Sequence, residues 1–423
     1  MSNENRKLSK VDYMIQEFDP LNPDPNPKRT QLESIADANV LSESFKKSKR
    51  GTQWKASVQK FEHKELCYIR ELQQGIRNDS YVQKPINEFT LNERGHTRDI
   101  KAHHISDRVV QRAFNDKIYL PAIENRLIYN NGASMQGKGL SFARTQFEND
   151  LREAYQEYNG DCYILFMDFS KFFDNIQHQI VFQQLSTLLN PDELAFLQLC
   201  FREFEIDVSY MDNDEYENCL NVLFNSLEYI KIDNSLKTGE KFMAKSVGIG
   251  SQLSQLTGIY YPHQIDNYCT IVKGCRRYGR YMDDIYIILK TKEELYQLYN
   301  EILAICAQLG IFINQRKTRV NHITHQLSFL KINYIFTETG KLIRKVQSET
   351  FHREHRRLTK FKHLVDIGKM TLEQAIDCYK GWRGTYAKFD SGYEIFEMDN
   401  YVRQLFNLPY TTKFTSKYAA MHS

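Results

Sequence analysis

The 423-residue sequence lacks long apolar runs and closely paired cysteines. No stretch approaches the ~20 apolar residues of a membrane helix, and residues 1–28 lack the apolar core of a signal peptide. The eight cysteines show no Cys-x-x-Cys spacing, which argues against a paired-cysteine metal site and favours reduced thiols. We therefore expect a cytoplasmic protein without a membrane partner.

Strong charge of one sign is also missing, because the formal net charge is only +3. That value is too small to indicate a nucleic-acid partner by itself. Between residues 341 and 363, however, basic residues outnumber the two acids, Glu349 and Glu354. Such an excess can follow phosphates without sequence specificity, although a solvated charged helix is the alternative. The residues expected to bind nucleic acid are Arg353, Arg356, Arg357, Lys360 and Lys362.

Acidic residues lie at the ends of two apolar runs of strand length. Asp168 follows residues 162–167, and Asp283 and Asp284 precede residues 285–289. Carboxylates that converge at one sheet edge repel each other unless divalent cations neutralise them, and Mg²⁺ prefers such oxygen ligands. A solvated turn is the alternative for an Asp-Asp pair. The apolar flanks favour a two-metal site.

Seven segments, in order, resemble the motifs of prokaryotic reverse transcriptases. The relatives in question are the enzymes of group II introns, retrons, diversity-generating retroelements and defence-associated or abortive-infection systems. The resemblance runs from about Asn39 to Asn407. The segments are residues 98–100 with 107–114, 133–139, 166–176, 249–255, Tyr281-Met282-Asp283-Asp284, 315–318 and 329–331.

This resemblance implies an α+β fold, a right-hand polymerase with fingers, a palm of antiparallel sheet plus helices, and a helical thumb. It implies a polymerase module alone, because little sequence follows the thumb. The expected divisions are a flexible N-terminal lead at 1–30, N-terminal helices and fingers at 31–160, the palm at 161–340 with an insertion at about 205–245, a basic helical thumb at 341–410 and a tail at 411–423.

The resemblance also implies roles for individual residues. Asp168, Asp283 and Asp284 would bind Mg²⁺ or alternatively Mn²⁺, with the backbone carbonyl of Phe169 as a further ligand. Lys317 would approach the leaving pyrophosphate as a general acid, which requires a lowered pKa; an ordinary solvated lysine is the alternative.

The remaining implied roles concern the incoming nucleotide. Arg98 would grip the triphosphate, since a guanidinium suits phosphate oxygens, and Phe173 would exclude a 2′-hydroxyl and so select dNTPs. Gly250 and Gln255 would line the pocket for nucleotide and template. The alternatives are a solvated arginine, a core aromatic residue, a turn glycine and a helix-start glutamine. The chain has His96 where relatives often have lysine, which weakens the case for a second cation on the nucleotide.

The functional hypothesis is an RNA-directed DNA polymerase that copies a cognate noncoding RNA in antiviral defence. An accessory protein or a second copy of the chain is a further candidate partner. Relatives often have Ser-Pro where this chain has Ser254-Gln255. That ending also occurs in diversity-generating retroelement enzymes, which are the first alternative. A palm-fold nucleotidyl cyclase and a non-catalytic RNA-binding scaffold are the others.

Overall fold

The computed structural model describes residues 31–93 and 96–414. The expected N-terminal lead at 1–30 and residues 415–423 of the expected tail therefore lie outside the described residues. Within the described ranges, no helix combines the length and the apolar composition needed to cross a bilayer.

The described part of the chain begins with helices that pack around the buried helix Ile105–Phe114, and a β-hairpin precedes that helix. The side chain of Asp37 accepts hydrogen bonds from the backbone amides of Asn39 and Val40 at 2.8 and 3.2 Å, which starts the second helix. The elements are α1 (Gln31–Ile35), α2 (Ala38–Ser48), α3 (Ala56–His63), α4 (Glu65–Arg77), β1 (Asn87–Glu93), β2 (His96–Ala102), α5 (Ile105–Phe114) and α6 (Leu120–Ile123).

Strands and helices alternate through the centre of the chain. A capping box between Thr291 and Glu294 begins the helix Lys292–Gln308. The elements are α7 (Leu140–Glu157), β3 (Tyr163–Asp168), α8 (His178–Leu185), α9 (Pro191–Phe201), β4 (Ile206–Asp207), α10 (Asn213–Asn218), α11 (Ser226–Tyr229), β5 (Phe242–Met243), α12 (Gln252–Tyr260), α13 (His263–Asn267), β6 (Tyr278–Tyr281), β7 (Asp284–Leu289), α14 (Lys292–Gln308) and β8 (Arg319–His322).

Four of these strands form one antiparallel sheet in the order β6-β7-β3-β8. Helix α14 contacts β3 and β7, and helix α7 contacts β6 and β7. Strand β3 is buried along almost its whole length, which explains why its sequence is a continuous apolar run rather than an alternating one.

The apolar pattern of residues 254–272 predicts one long helix, and this expectation is wrong. Residues 254–272 do not form one long helix, because Pro262 separates α12 from α13 and a π-helical turn follows at Tyr268–Val272. Proline lacks the amide that a helix interior requires. We also expect residues 311–313 to return to the sheet, and they do so without forming a regular strand: Ile313 bridges Phe169, and the Ser170 amide donates to the Phe312 carbonyl at 2.6 Å. The amide of Ile311 instead donates to the carbonyl of Cys306 at 2.8 Å and closes the end of α14.

The region between α9 and α12 has a small hydrophobic cluster of its own. Strands β4 and β5 pair there, and Ile206, Cys219 and Met243 lie in the cluster. The acidic stretch 207–217, in which we expect no regular structure, contains most of α10, and the carboxylate of Asp212 caps that helix. This part of the chain therefore packs around a small core of its own.

The last described part is a three-stranded sheet followed by three helices. The sheet has the order β11-β10-β9. Its apolar side chains and those of the helices share a second large core with α7. The elements are β9 (Leu327–Phe329), β10 (Ile332–Phe336), β11 (Leu342–Val346), α15 (Ser348–Asp366), α16 (Leu372–Tyr386) and α17 (Gly392–Leu405).

Candidate active site

The turn between β6 and β7 carries the two adjacent aspartates. Tyr281 pairs with Asp284, so Met282 and Asp283 form a two-residue hairpin turn. Met282 has a φ of +57°, a conformation that non-glycine residues rarely adopt. In the neighbouring pair of strands, Asp168 lies directly opposite Asp284. The sheet therefore brings the three predicted carboxylates to one edge.

Burial and like charge perturb two of these groups. Burial, Asp283 and Asp168 together raise the pKa of Asp284 to about 7. Burial and Asp168 likewise raise the pKa of Asp283. Ionising all the carboxylates is therefore unfavourable until a cation compensates them.

Both oxygens of the third carboxylate already have protein partners. Lys317 Nζ lies 2.8 Å from Asp168 Oδ1, and Asn314 Nδ2 donates to Oδ2 at 3.1 Å. Partial burial lowers the pKa of Lys317, but its hydrogen bond to Asp168 and the carboxylate charges raise it overall. This direction is opposite to the lowering that a general acid requires.

The donor set fits a divalent cation in its chemistry. The carboxylate oxygens are hard ligands, and a cation would relieve the repulsion that raises the pKa values of Asp283 and Asp284. In the ranges 31–93 and 96–414, however, no three His, Cys, Asp or Glu side chains are arranged as a metal-binding group. Asp168 would have to share or exchange its contact with Lys317 to complete such a group.

A cavity of about 460 Å³ contains the carboxylates together with two of the predicted nucleotide contacts. Arg98 on β2 and the half-buried ring of Phe173 both line it, as does Lys317. The structure therefore brings the predicted acids, cations and aromatic residue to a single site.

Gly250 and Gln255 line a different cavity, of about 830 Å³. The Lys101 amide donates to the Ile249 carbonyl at 3.1 Å, so strand β2 docks on this segment. A Cβ on Gly250 would lie 3.2 Å from the Lys101 carbonyl oxygen, at a φ of +130°. Gly250 thus permits the close approach that positions the strand bearing Arg98.

The predicted nucleic-acid contacts lie on α15, and most of them form ion pairs. Arg353 and Arg356 each lie 3.2 Å from Glu349, and Arg357 lies 2.7 Å from Glu354. Lys362 pairs with Asp366 at 2.5 Å, and Lys360 is exposed. The pairs with Glu349 and Asp366 involve exposed carboxylates and contribute little stability, whereas the Glu354 carboxylate is buried.

Sequence analysis missed two residues that support the site. Asn314 holds Asp168 from its side chain and also through its backbone amide, which donates to the Asp168 carbonyl at 2.8 Å. Arg280, fully buried beside the hairpin turn, donates to the Met282 carbonyl at 3.1 Å. Nothing in the local sequence marks Arg280, because Arg276 and Arg277 precede it closely in the same basic stretch.

Comparison with known proteins gives one family. The family model described as "Reverse transcriptase (RNA-dependent DNA polymerase)" matches residues 90–334, which is more than half of the chain. No curated protein matches the sequence significantly. The match includes β3, the β6–β7 hairpin and Lys317.

Proposed function

The chain belongs to the reverse transcriptase family and is an RNA-directed DNA polymerase, and from this premise we propose that Asp168, Asp283 and Asp284 form its catalytic centre. The family implies the fingers, palm and thumb architecture, with an RNA template, dNTP substrates and a DNA product. The observation that carries the proposal is the register of β3 and β7, which sets Asp168 opposite Asp284 beside the cavity.

Mg²⁺, with Mn²⁺ as the alternative, would be held by the three carboxylates and the backbone carbonyl of Phe169. Divalent ions, when bound, activate a primer 3′-hydroxyl and stabilise the leaving pyrophosphate. Asn314 keeps Asp168 oriented during this process. We assign Lys317 to the pyrophosphate, where its ammonium would compensate charge once it exchanges its contact with Asp168.

The nucleotide would occupy the cavity next to the carboxylates. Arg98 would contact the triphosphate, because a guanidinium can donate two hydrogen bonds to phosphate oxygens. The Phe173 ring would lie against the sugar and leave no room for a 2′-hydroxyl. Gly250 would act by docking β2, and Gln255 would contact the template side from the neighbouring cavity.

We further propose that α15 follows the phosphate backbone of the bound nucleic acid through Arg353, Arg356, Arg357, Lys360 and Lys362. The support for this role is the local excess of basic residues on one helix. Contacts of this kind make binding weaken steeply as salt rises.

For the biological role we propose a prokaryotic enzyme that copies a cognate noncoding RNA in anti-phage defence. Its support is the motif ending Ser254-Gln255, which resembles that of defence-associated enzymes. A diversity-generating retroelement enzyme is the alternative with the same support. A template repeat beside the gene and a variable target gene would favour that alternative.

The test of the catalytic centre is the double substitution Asp283→Ala and Asp284→Ala. Labelled dNTP incorporation on a primed RNA template should disappear, while the far-ultraviolet circular dichroism spectrum stays unchanged. Asp377→Ala, an exposed carboxylate on α16, is the matched control and should retain incorporation. Incorporation by the double variant would refute the assignment.

The template and the rival functions are tested together by recovering RNA that copurifies with the chain. DNA product whose sequence matches this RNA supports the cognate-RNA proposal. A low-mass cyclic product from nucleotide alone would identify a cyclase, and RNA binding without any product would identify a scaffold.

A further inference from the structure

The turn between β9 and β10 breaks a local rule of hairpin sequences. Ile332 pairs with Phe329, so Leu330 and Lys331 form a two-residue turn, and their φ angles are +45° and +71°. Turns with two positive φ angles strongly prefer Asn-Gly or Asp-Gly. Here a large apolar residue and a lysine occupy both positions, which is the kind of backbone strain that accumulates at functional sites.

A buried arginine donates hydrogen bonds to the strained turn. Arg144 is 4 % exposed and donates from Nε and Nη2 to the Leu330 carbonyl at 3.1 and 2.6 Å. The turn is therefore maintained by its surroundings. The turn places Lys331 in the lining of a neighbouring cavity.

Lys331 lines a cavity of about 510 Å³ between the turn and helices α15 and α16. Arg353 and Arg356 line the same cavity from α15, and Trp382 and Tyr386 line it from α16. Ligand pockets have volumes of roughly 300–1,000 Å³. The cavity thus combines cationic groups with aromatic rings at a ligand-sized volume.

The charge of the cavity favours an anion. Four cationic side chains line it, namely Lys331, Arg353, Arg356 and Arg357. Within the part of the chain that the structure describes, Glu349 pairs with Arg353 and Arg356, and Glu354 pairs with Arg357. The side chain of Arg356 is 71 % exposed, so a phosphate can reach it and compete with Glu349.

The aromatic rings are fixed in place by the core behind them. Trp382 stacks on Tyr379 with ring centroids 5.9 Å apart and meets Phe351 edge-on at 5.8 Å. Tyr379 is fully buried and donates from its hydroxyl to Asp399 at 2.6 Å. Trp382 and Tyr386 remain only half-buried, so an aromatic ligand can contact them without rearrangement of the core.

We propose that this cavity binds an unpaired nucleotide of a nucleic-acid strand, with its base on Trp382 and Tyr386 and its phosphate on Lys331, Arg353 and Arg356. The inference rests on the proposed role of α15 in gripping nucleic acid. Paired bases within a duplex do not offer their faces to side chains, whereas unpaired bases stack on aromatic residues. The combination of rings and cations therefore favours an unpaired segment over a duplex backbone.

Tryptophan fluorescence can test the proposal directly, since the chain has only two tryptophans. Trp54 is 75 % exposed, so Trp54→Phe leaves Trp382 as the sole reporter. Titration with a single-stranded oligonucleotide should quench Trp382, whereas a blunt duplex of the same length should not. Equal quenching by the duplex, or stronger quenching by free dTMP than by the strand, would overturn the proposal.

Charge variants in the same background locate the phosphate contact. Arg353→Gln with Arg356→Gln should weaken strand binding in the quenching titration roughly tenfold. Lys369→Gln removes the same kind of charge just after α15, outside the cavity lining, and should leave the titration almost unchanged. Equal weakening by both would indicate general electrostatics instead of a pocket.

Lys331→Gly separates ligand binding from stability. Glycine tolerates positive φ, so the melting temperature should stay unchanged or rise, while strand affinity in the titration falls. A drop in melting temperature, or unchanged affinity, would overturn the role of Lys331. Labelled dNTP incorporation by the Trp54→Phe protein separates failure of the pocket from failure of the proposed catalytic function. Incorporation without any quenching would refute the pocket alone. Absent incorporation would refute the proposed catalytic function.

Discussion

Arg280 and Asp266 form a buried ion pair one residue before the Tyr281–Asp284 segment. Arg280 Nε lies 2.8 Å from Asp266 Oδ1 and Nη2 lies 2.5 Å from Oδ2, and the side chains are 0 % and 1 % exposed. The same guanidinium donates to the carbonyl of Met282, the residue with a φ of +57°. The pair therefore connects the helical layer to the turn that carries Asp283, one of the three proposed catalytic aspartates.

Two substitutions of Arg280 should separate its contribution to fold stability from its role in positioning the Met282–Asp283 turn. Arg280→Leu leaves Asp266 buried without its partner and should lower the free energy of unfolding by about 3–5 kcal/mol, measured by urea denaturation. Arg280→Lys keeps a positive charge but loses the planar fork. We expect a smaller loss of stability for that variant, with kcat reduced roughly tenfold or more and the KM for dNTP changed less. Full kcat in Arg280→Lys would mean that the pair only stabilises the fold.

The half-buried carboxyl of Asp150 should make stability depend on pH. Tyr286 donates to it at 2.7 Å, but burial raises its pKa to about 6, with a further increase from Glu153 that Arg277 partly offsets. Because this pKa is above the ordinary value of 3.8, the folded state retains a proton that the unfolded state loses. The contribution of Asp150 to the free energy of unfolding is thus fully present below about pH 4 and is lost as the pH rises through 6.

Asp150→Asn imitates the protonated carboxyl and should remove this loss. The melting temperature of the variant should exceed that of the parent protein at pH 7.5 and match it near pH 4. Asp377→Asn, on an exposed surface, controls for a general effect of removing charge. A constant difference at both pH values would contradict the assignment to Asp150.

Phe173 should control the choice between deoxyribonucleotides and ribonucleotides. Phe173→Ala opens space beside the sugar and should reduce the preference for dNTP over rNTP roughly 10- to 100-fold, measured as the ratio of kcat/KM values. Gly258 on α12 supports the ring, because a Cβ there would lie 3.0 Å from Phe173 Cε1. Gly258→Ala should therefore shift the ring and change the same ratio without abolishing the preference for dNTP.

Gly392→Ala is the matched control, since its added Cβ meets no atom within 4 Å. It should leave the ratio unchanged. An unchanged ratio in Phe173→Ala would show that the ring is only part of the core.

Local sequence patterns predicted the parts of the site that are built from residues close together in the sequence. Strand β3 and the hairpin at Met282 follow from apolar runs that end at carboxylates. Patterns could not predict the contacts between distant segments. Asp266 lies 14 residues before Arg280, and Asn314 lies far from Asp168 in the chain; only the folded sheet and helices bring them together.

The errors in the predicted elements have local physical causes that an apolar pattern does not reveal. Pro262 interrupts a helix whose apolar periodicity continues past it. Residues 311–313 return to the end of β3 through an isolated bridge instead of a full strand, because the Ile311 amide is used to end α14. Strand β8 (Arg319–His322) has no apolar run to mark it, because none of its four residues is fully buried.

Divalent cations should stabilise the folded protein through Asp284. Its pKa of about 7 exceeds the ordinary value, so without a cation the folded state loses stability as the pH rises from about 4 through 7. Mg²⁺ bound to the folded state alone should restore stability by an amount that rises with the logarithm of one plus its concentration over the dissociation constant. In a thermal melt at pH 8, the parent protein should therefore melt higher in Mg²⁺ than in chelator. Asp284→Asn removes the repulsion, so it should melt higher than the parent in chelator and gain little from Mg²⁺, whereas Asp377→Asn should behave like the parent. An equal Mg²⁺ shift in Asp284→Asn would place the bound ion elsewhere.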